Sequence, residues 1–422
     1  MYQRMKKNQL NIGVHHLHHY ARTEEHIRDV IASGVEFVTE LDCGDRKSFD
    51  LFAKYGLGVI VTGVIPKWGG GGYGYLGRMA EKFPPEVYAE GMKNYVDHPA
   101  FWGVYFCDEP NAADFRYMGE MVEYVNSHST NTFAYLNLYP NYAEVSQNTE
   151  KIIESQLGTP SYEEYIEKYC KYIPTDYISF DYYAYGRGLR FTKDEPNPGI
   201  AYLYEKLRVV ANACRATGRS LWFVGQVNSY FPEVFTSTNQ IRVQAFAAMA
   251  FGVENIQWGC YTAGWWDNQI LDSEGNKTEQ YEKMKTVNWE IRAIRDEYMK
   301  FRNVSTHFVG FKGSPDVEGL KQECIDSLDT GVFFDVKADN GASLVIGQMT
   351  SRTDDGAQAL MILAADDSHD LGGESYNIIF RTHDSKAVAA IGGQGNIPVT
   401  KLEDGSYSVP IRSCAGVLLT AR

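Results

Sequence analysis

The sequence predicts an α/β fold: a (β/α)8 TIM barrel followed by an all-β sandwich. Three observations predict it. Short apolar β-rich runs alternate with helix-period segments up to about residue 300. After Asn303 the helical pattern stops, and short runs alternate with Gly/Asp turns. The residues closing the first run, Val14-His-His-Leu-His-His, hold no glycine-rich phosphate loop, which a doubly wound open sheet would place there. The chain has 422 residues, too many for one ordinary domain. We assign residues 1–303 to the barrel and 304–422 to the sandwich, whose simplest role is to buttress it.

Taken in order, the eight barrel runs are Leu10–His16, Val35–Cys43, Leu57–Gly63, Phe101–Cys107, Thr132–Tyr139, Tyr177–Tyr185, Leu221–Asn228 and Glu254–Tyr261. Between them lie patterned segments such as Thr23–Ser33, Pro85–Val96, Ala112–His128, Ser161–Tyr172, Ile200–Thr217 and Thr238–Phe251. Lys67-Trp-Gly-Gly-Gly-Gly-Tyr-Gly-Tyr, after the third strand, lacks phosphate-loop spacing and reads as an aromatic loop over the mouth. The sandwich runs are Val304–Gly310, Gly331–Phe334, Leu344–Met349, Ala359–Ala364, Ser375–Phe380, Lys386–Ala390 and Gly416–Leu419.

Composition narrows the partners. Aromatic residues make up 14% of the chain, with 29 Tyr and 7 Trp, whose flat apolar faces and polar edges suit sugar rings as well as a core. A net charge of −14 without any Lys/Arg-rich run argues against nucleic acid. Seven scattered cysteines without a CxxC fit free thiols and a reducing, cytoplasmic compartment. The N-terminus lacks the apolar core of a signal peptide, although a secreted chain trimmed of its leader would look the same. No apolar run is long enough to span a membrane.

Barrel enzymes place their chemistry at the C-terminal ends of the strands. There the chain offers His15, His16, His18 and His19, then Glu40 and Asp42, then Trp68. The fourth strand runs Phe101-Trp-Gly-Val-Tyr-Phe-Cys and stops in Asp108, Glu109 and Pro110. Later ends carry Asn137, Tyr139, Asn141, Asp181, Tyr182, Tyr183, Tyr185, Gln226 and Asn228, then Trp258, Tyr261, Trp265, Trp266 and Asp267. Like charges held close resist joint ionisation, so Asp108 beside Glu109 suits a general acid. The bland alternative is a solvated strand end with a proline stop. Carboxylates, amides and aromatics together fit glycosidic bond cleavage, which needs a protonated acid at the leaving oxygen and a second carboxylate.

Gly103-Val-Tyr-Phe-Cys-Asp-Glu-Pro110 resembles the strand-four acid motif of (β/α)8 glycoside hydrolases. The segments Arg242–Gly252 and Ile270–Tyr281 resemble the same group, and Tyr407–Leu419 resembles the close of its C-terminal sandwich. The resemblance implies that Glu109 is the general acid/base, acting on an oligosaccharide or glycoconjugate without a cofactor. The best-known clan of retaining barrels has a nucleophilic Glu on strand seven, where this chain has Gln226. A second carboxylate could be Asp181, Glu40 or Asp42. Alternatively Asp108 orients a substrate acetamido group, as in the substrate-assisted hexosaminidases, or the barrel binds glycans without cleaving them. The catalytic candidates are therefore Glu109, Asp108 and Asp181. The substrate-contact candidates are His15, Glu40, Trp68, Asn137, Tyr139, Tyr183, Gln226, Trp265 and Trp266. Structural readings compete throughout: Gln226 as a satisfied core amide, Asp181 as a salt-bridged rim residue, Trp68 as a loop anchor. His16-Leu-His18 has the spacing of barrel metallohydrolases, but no other His falls at a mouth position, and no metal is assigned.

Overall fold

In the computed structural model, the described residues are 9–42, 46–62, 68–69, 79–82, 84–93, 95–128, 133–185, 199–229, 232, 235–262, 266–311, 320, 324–353, 355–365, 373–382 and 387–422. Among the described residues, nine parallel strands fall before residue 260: β1 (Asn11–His15), β2 (Phe37–Asp42), β3 (Gly58–Thr62), β4 (Trp68–Gly69), β5 (Phe101–Asp108), β6 (Phe133–Asn137), β7 (Tyr177–Asp181), β8 (Ser220–Gln226) and β9 (Val253–Gly259). β4 is a two-residue addition beside the end of β5, so the other eight are the predicted barrel strands. They run in the spatial order β7-β8-β9-β1-β2-β3-β5-β6. The ring closes between β6 and β7 through a parallel bridge from Leu138 to Phe180, where the Leu138 N–H donates to the Ser179 carbonyl at 2.9 Å. This is a TIM barrel.

The helices are α1 (Glu24–Ala32), α2 (Arg46–Tyr55), α3 (Met79–Lys82), α4 (Pro85–Met92), α5 (Phe115–His128), α6 (Tyr162–Tyr172), α7 (Gly199–Thr217), α8 (Thr238–Ala250) and α9 (Glu279–Tyr298). Hydroxyl residues start four of them: the side chains of Thr23, Ser161, Ser237 and Thr278 accept from N–H groups of the first turn. Ser237 and Gln240 complete a reciprocal capping box. The pattern segments did not name α2 or α9.

Aromatic rings fill the floor of the barrel, where branched aliphatics are usual. Phe37, Ile60, Trp102, Tyr105, Tyr135, Tyr177 and Trp222 form one buried cluster. Tyr177 stacks on Trp222 with centroids 4.0 Å apart, and Tyr105 lies 5.0 Å from Tyr135. Much of the aromatic content is therefore core.

The sandwich begins at Phe301, slightly ahead of the predicted boundary. Its first strand, Phe301–Val309, pairs with Leu344–Ser351 and carries a bulge at Asn303, which blurs the alternation there. The larger sheet has the order Cys324–Ile325, Phe301–Val309, Leu344–Ser351, Gln358–Ala364, Gly416–Ala421, Val388–Gly392, Gly395–Ile397. The smaller one has the order Phe333–Ala338, Ser375–Thr382, Tyr407–Arg412, Thr400–Lys401. Their inner faces share a core that includes Phe333, Ile346, Ile362, Ile378, Phe380 and Val409.

The outer face of the larger sheet packs on α8, which is why that helix is buried all round. Close approach needs Gly347, where a Cβ would sit 2.0 Å from the Ala250 carbonyl oxygen. The Asn303 amide also donates to that oxygen, at 2.9 Å. The sandwich is thus welded to the barrel's outer wall.

Candidate active site

Two bulges shape the strand ends at the mouth. In β5 the register against β6 slips between Tyr105 and Cys107. A slip of one residue reverses the alternation of side chains, so Asp108 returns to the face that Tyr105 occupies. The Tyr105 hydroxyl accordingly donates to Asp108 Oδ1 at 2.8 Å. In β2 the register against β3 slips between Val38 and Leu41, and Glu40 lies in that slip.

Three residues at or near strand ends adopt left-handed backbone: His16 after β1 at φ 57°, Glu40 in β2 at φ 56° and Glu109 after β5 at φ 48°. Each costs about 1–3 kcal/mol for a non-glycine residue, and such strain gathers at functional sites. The Glu109 N–H is anchored on the Asn137 carbonyl at 2.8 Å. The buried Glu40 carboxylate pairs with the His16 imidazole, which stacks on His18.

Asn137, at the end of β6, joins two candidate carboxylates. Its Nδ2 donates to Asp181 Oδ1 at 2.7 Å and approaches Asp108 Oδ1 at 3.5 Å. Asp181 is 4% exposed, whereas Asp108 and Glu109 are partly open. Burial pushes the Asp181 carboxyl up to about 6; the Lys206 ammonium opposes that and the Asp108 charge adds to it. The folded protein therefore holds this proton more tightly than the unfolded chain. The stability this group supplies is complete below pH about 4 and is lost as pH rises through about 6.

Lys206, from α7, was missed in the sequence. It is fully buried and lies 4.4 Å from the centroid of the Phe180 ring. Its ammonium donates to the Asp181 carbonyl at 2.8 Å and the Tyr139 carbonyl at 3.0 Å, tying the ends of β6 and β7 together. Burial lowers its pKa far below the usual lysine range, against the pull of Asp181 and Glu109. The signal was present: Lys206 falls at helical spacing between the buried Leu203 and Val210. We expect Lys206→Met to raise the Asp181 titration above its wild-type midpoint and to cost about 3 kcal/mol, because two carbonyls lose their donor. Carboxyl-carbon NMR titration and urea unfolding would measure these; an unmoved midpoint would refute the coupling.

The other candidates fall into place around this centre. His15 is buried against Tyr105 and Tyr135, with centroids at 6.1 and 6.4 Å. Tyr183 is half-buried and meets the buried Trp266 edge-to-face at 4.7 Å. Tyr139 is buried, and its carbonyl serves Lys206. Gln226 is fully buried: its Oε1 accepts from the Tyr185 N–H at 2.8 Å and its Nε2 donates to the Asn228 carbonyl at 2.8 Å. Its amide thus pins two rim segments together, as the core-amide reading has it. The Trp68 backbone pairs with Cys107, and Gly69 with Asp108, so the glycine loop starts beside the carboxylates. Trp265 and most of that loop lie outside the described residues.

Among the described residues, no group of three or more His, Cys, Asp or Glu is placed to hold a metal ion. No disulfide joins the six described cysteines, and no described helix is long and apolar enough to cross a membrane.

No family model matches the chain, and no curated protein matches its sequence. Among solved structures the chain is similar to a glycoside hydrolase with TM-score 0.53 and 9% identity, over 99% of this chain and 96% of that one. An endoglucanase from Pseudomonas stutzeri matches with TM-score 0.44 and 14% identity, over 68% of this chain and 96% of its own. Endo-glycoceramidase II from Rhodococcus sp. matches with TM-score 0.43 and 11% identity, over 100% and 99%. The first of these likenesses shows a shared fold: the barrel with its appended β domain recurs in a glycoside hydrolase.

Proposed function

We propose that the chain is a glycoside hydrolase acting on an oligosaccharide or glycoconjugate. One observation carries this reading: β5 delivers two adjacent, partly open carboxylates to the barrel mouth, and a third buried one stands behind them. Glu109 is the general acid/base, on strained backbone at the strand end. Asp108 is its partner, because it is the more open of the two aspartates and takes donors from Tyr105 and Asn137. Asp108 either attacks the anomeric carbon or orients a substrate acetamido group that does so. Asp181 is too buried for contact with sugar and instead sets the local charge. Tyr183 supplies a ring face at the rim, backed by Trp266.

The test is release of the chromophore from α- and β-glycosides, N-acetylhexosaminides included, by wild type and Asp108→Asn. Cleavage confined to acetamido sugars and lost in the variant assigns Asp108 the orienting role. A variant as active as wild type would remove Asp108 from the mechanism.

A second reading is a glycan-binding barrel without catalysis. The observation favouring it is Gln226, an amide spent on backbone groups at the strand-seven position where retaining barrels hold a nucleophile.

A further inference from the structure

Asn137 is held by more than its two carboxylates. The Gln257 side chain on β9 donates from Nε2 to the Tyr135 hydroxyl at 2.9 Å. Tyr135 on β6 and Ser179 on β7 share a hydroxyl–hydroxyl bond of 3.0 Å. The Ser179 hydroxyl then donates to Asn137 Oδ1 at 3.1 Å. With the Asn137 nitrogen on the two carboxylates, one direction of donation satisfies all three contacts. Gln257 gives its N–H to Tyr135, Tyr135 its O–H to Ser179, and Ser179 its O–H to the Asn137 carbonyl. All four side chains are buried, three of them completely and Asn137 to within 3%. The carboxylates draw the Asn137 nitrogen toward them, and the Ser179 hydroxyl meets its carbonyl oxygen from the other side.

We propose that Gln257, Tyr135 and Ser179 are positioning residues, a one-way hydrogen-bond chain across the barrel that locks the Asn137 amide onto the aspartate pair. None of the three needs to touch substrate; they act through Asn137. The inference rests on the proposed function only for its catalytic consequence, and the geometry stands without it. Reversed, the amide would present its carbonyl to two carboxylates, which is repulsive in a buried setting. A chain that supplies a hydroxyl donor at Oδ1 reinforces the favoured orientation.

The groups that face Asp181 are Asp108 and Tyr105 from β5, Tyr135 from β6, Tyr162 from α6 and Lys206 from α7, with Glu109 acting on Lys206. Of these, Tyr135 belongs to the chain. In Ser179→Ala the amide loses its lock, and Asp181 loses an oriented N–H donor that favours its charged form. Protein labelled with carboxyl-carbon aspartate reads this directly, with the Asp181 signal assigned from Asp181→Asn.

Ser179→Ala should move the Asp181 midpoint up by about 0.5 pH unit or more. Tyr135→Phe keeps the ring volume and should move it the same way by less. Ser179→Thr, which keeps the hydroxyl, should restore it. The same order should appear in the pH profile of kcat once a substrate is known. A midpoint unchanged in both Ser179→Ala and Tyr135→Phe, with only thermal stability lowered, overturns the proposal and leaves the chain as packing. Titration needs no substrate, so a negative glycoside screen would not count against the chain, nor a failed chain against the glycosidase reading.

Discussion

Glu109→Gln abolishes glycoside cleavage and leaves sugar binding in place. A positioned general acid contributes about 10²–10⁴-fold, so kcat falls by about 10³ or more on substrates with poor leaving groups. The loss shrinks on aryl glycosides whose leaving group needs no proton. The basic limb of the pH–rate profile disappears as well, because that limb reports loss of the acid's proton. The fold should tolerate the change, since the backbone anchor of Glu109 is its own N–H on the Asn137 carbonyl, which Gln retains. Chromogenic assays beside calorimetric binding would check both halves. A variant with normal kcat on natural oligosaccharides would move the acid role elsewhere, with Glu40 the next candidate.

Gly13→Val destabilises the barrel by about 3 kcal/mol or more, the upper range for overpacking a tight core. A Cβ at Gly13 would lie 2.3, 2.5 and 2.7 Å from Cζ, Cε2 and Cε1 of Phe37. Phe37 cannot swing clear, because it is fully buried and stacks on Trp102 at 5.7 Å. The same floor carries Tyr105 and Tyr135, which hold Asp108 and the Asn137 chain, so activity should fall with stability. Trimming the obstructing ring should recover part of the loss: Gly13→Val with Phe37→Ala should show a favourable coupling of about 1–2 kcal/mol in urea unfolding. Simple additivity of the two single losses would show that the ring is not what Gly13 accommodates.

The barrel was legible because eight buried strands leave eight apolar runs, and each run overlaps a strand of the ring. The strand-end carboxylates were legible for the same reason, since a strand's last residues face the mouth. What escaped lies in departures from simple period. The slip in β5 puts Tyr105 and Asp108 on one face, although three-residue spacing predicts opposite faces. Lys206 was not singled out within its patterned helix, because the sequence does not show that the Tyr139 and Asp181 carbonyls receive its ammonium. Ser179 and Tyr135 are an ordinary serine and tyrosine in the sequence, and only cross-strand register makes them a chain. Gln226 read equally as sugar donor or core amide, since a residue type cannot show what its amide meets.

The most direct test of the central claim is the release of free reducing sugar from a panel of oligosaccharides and glycoconjugates, wild type run beside Glu109→Gln. The account predicts release by wild type and none by the variant, with both binding the same glycan. Glycan binding by both proteins without release by either would contradict it and make the chain a binding barrel.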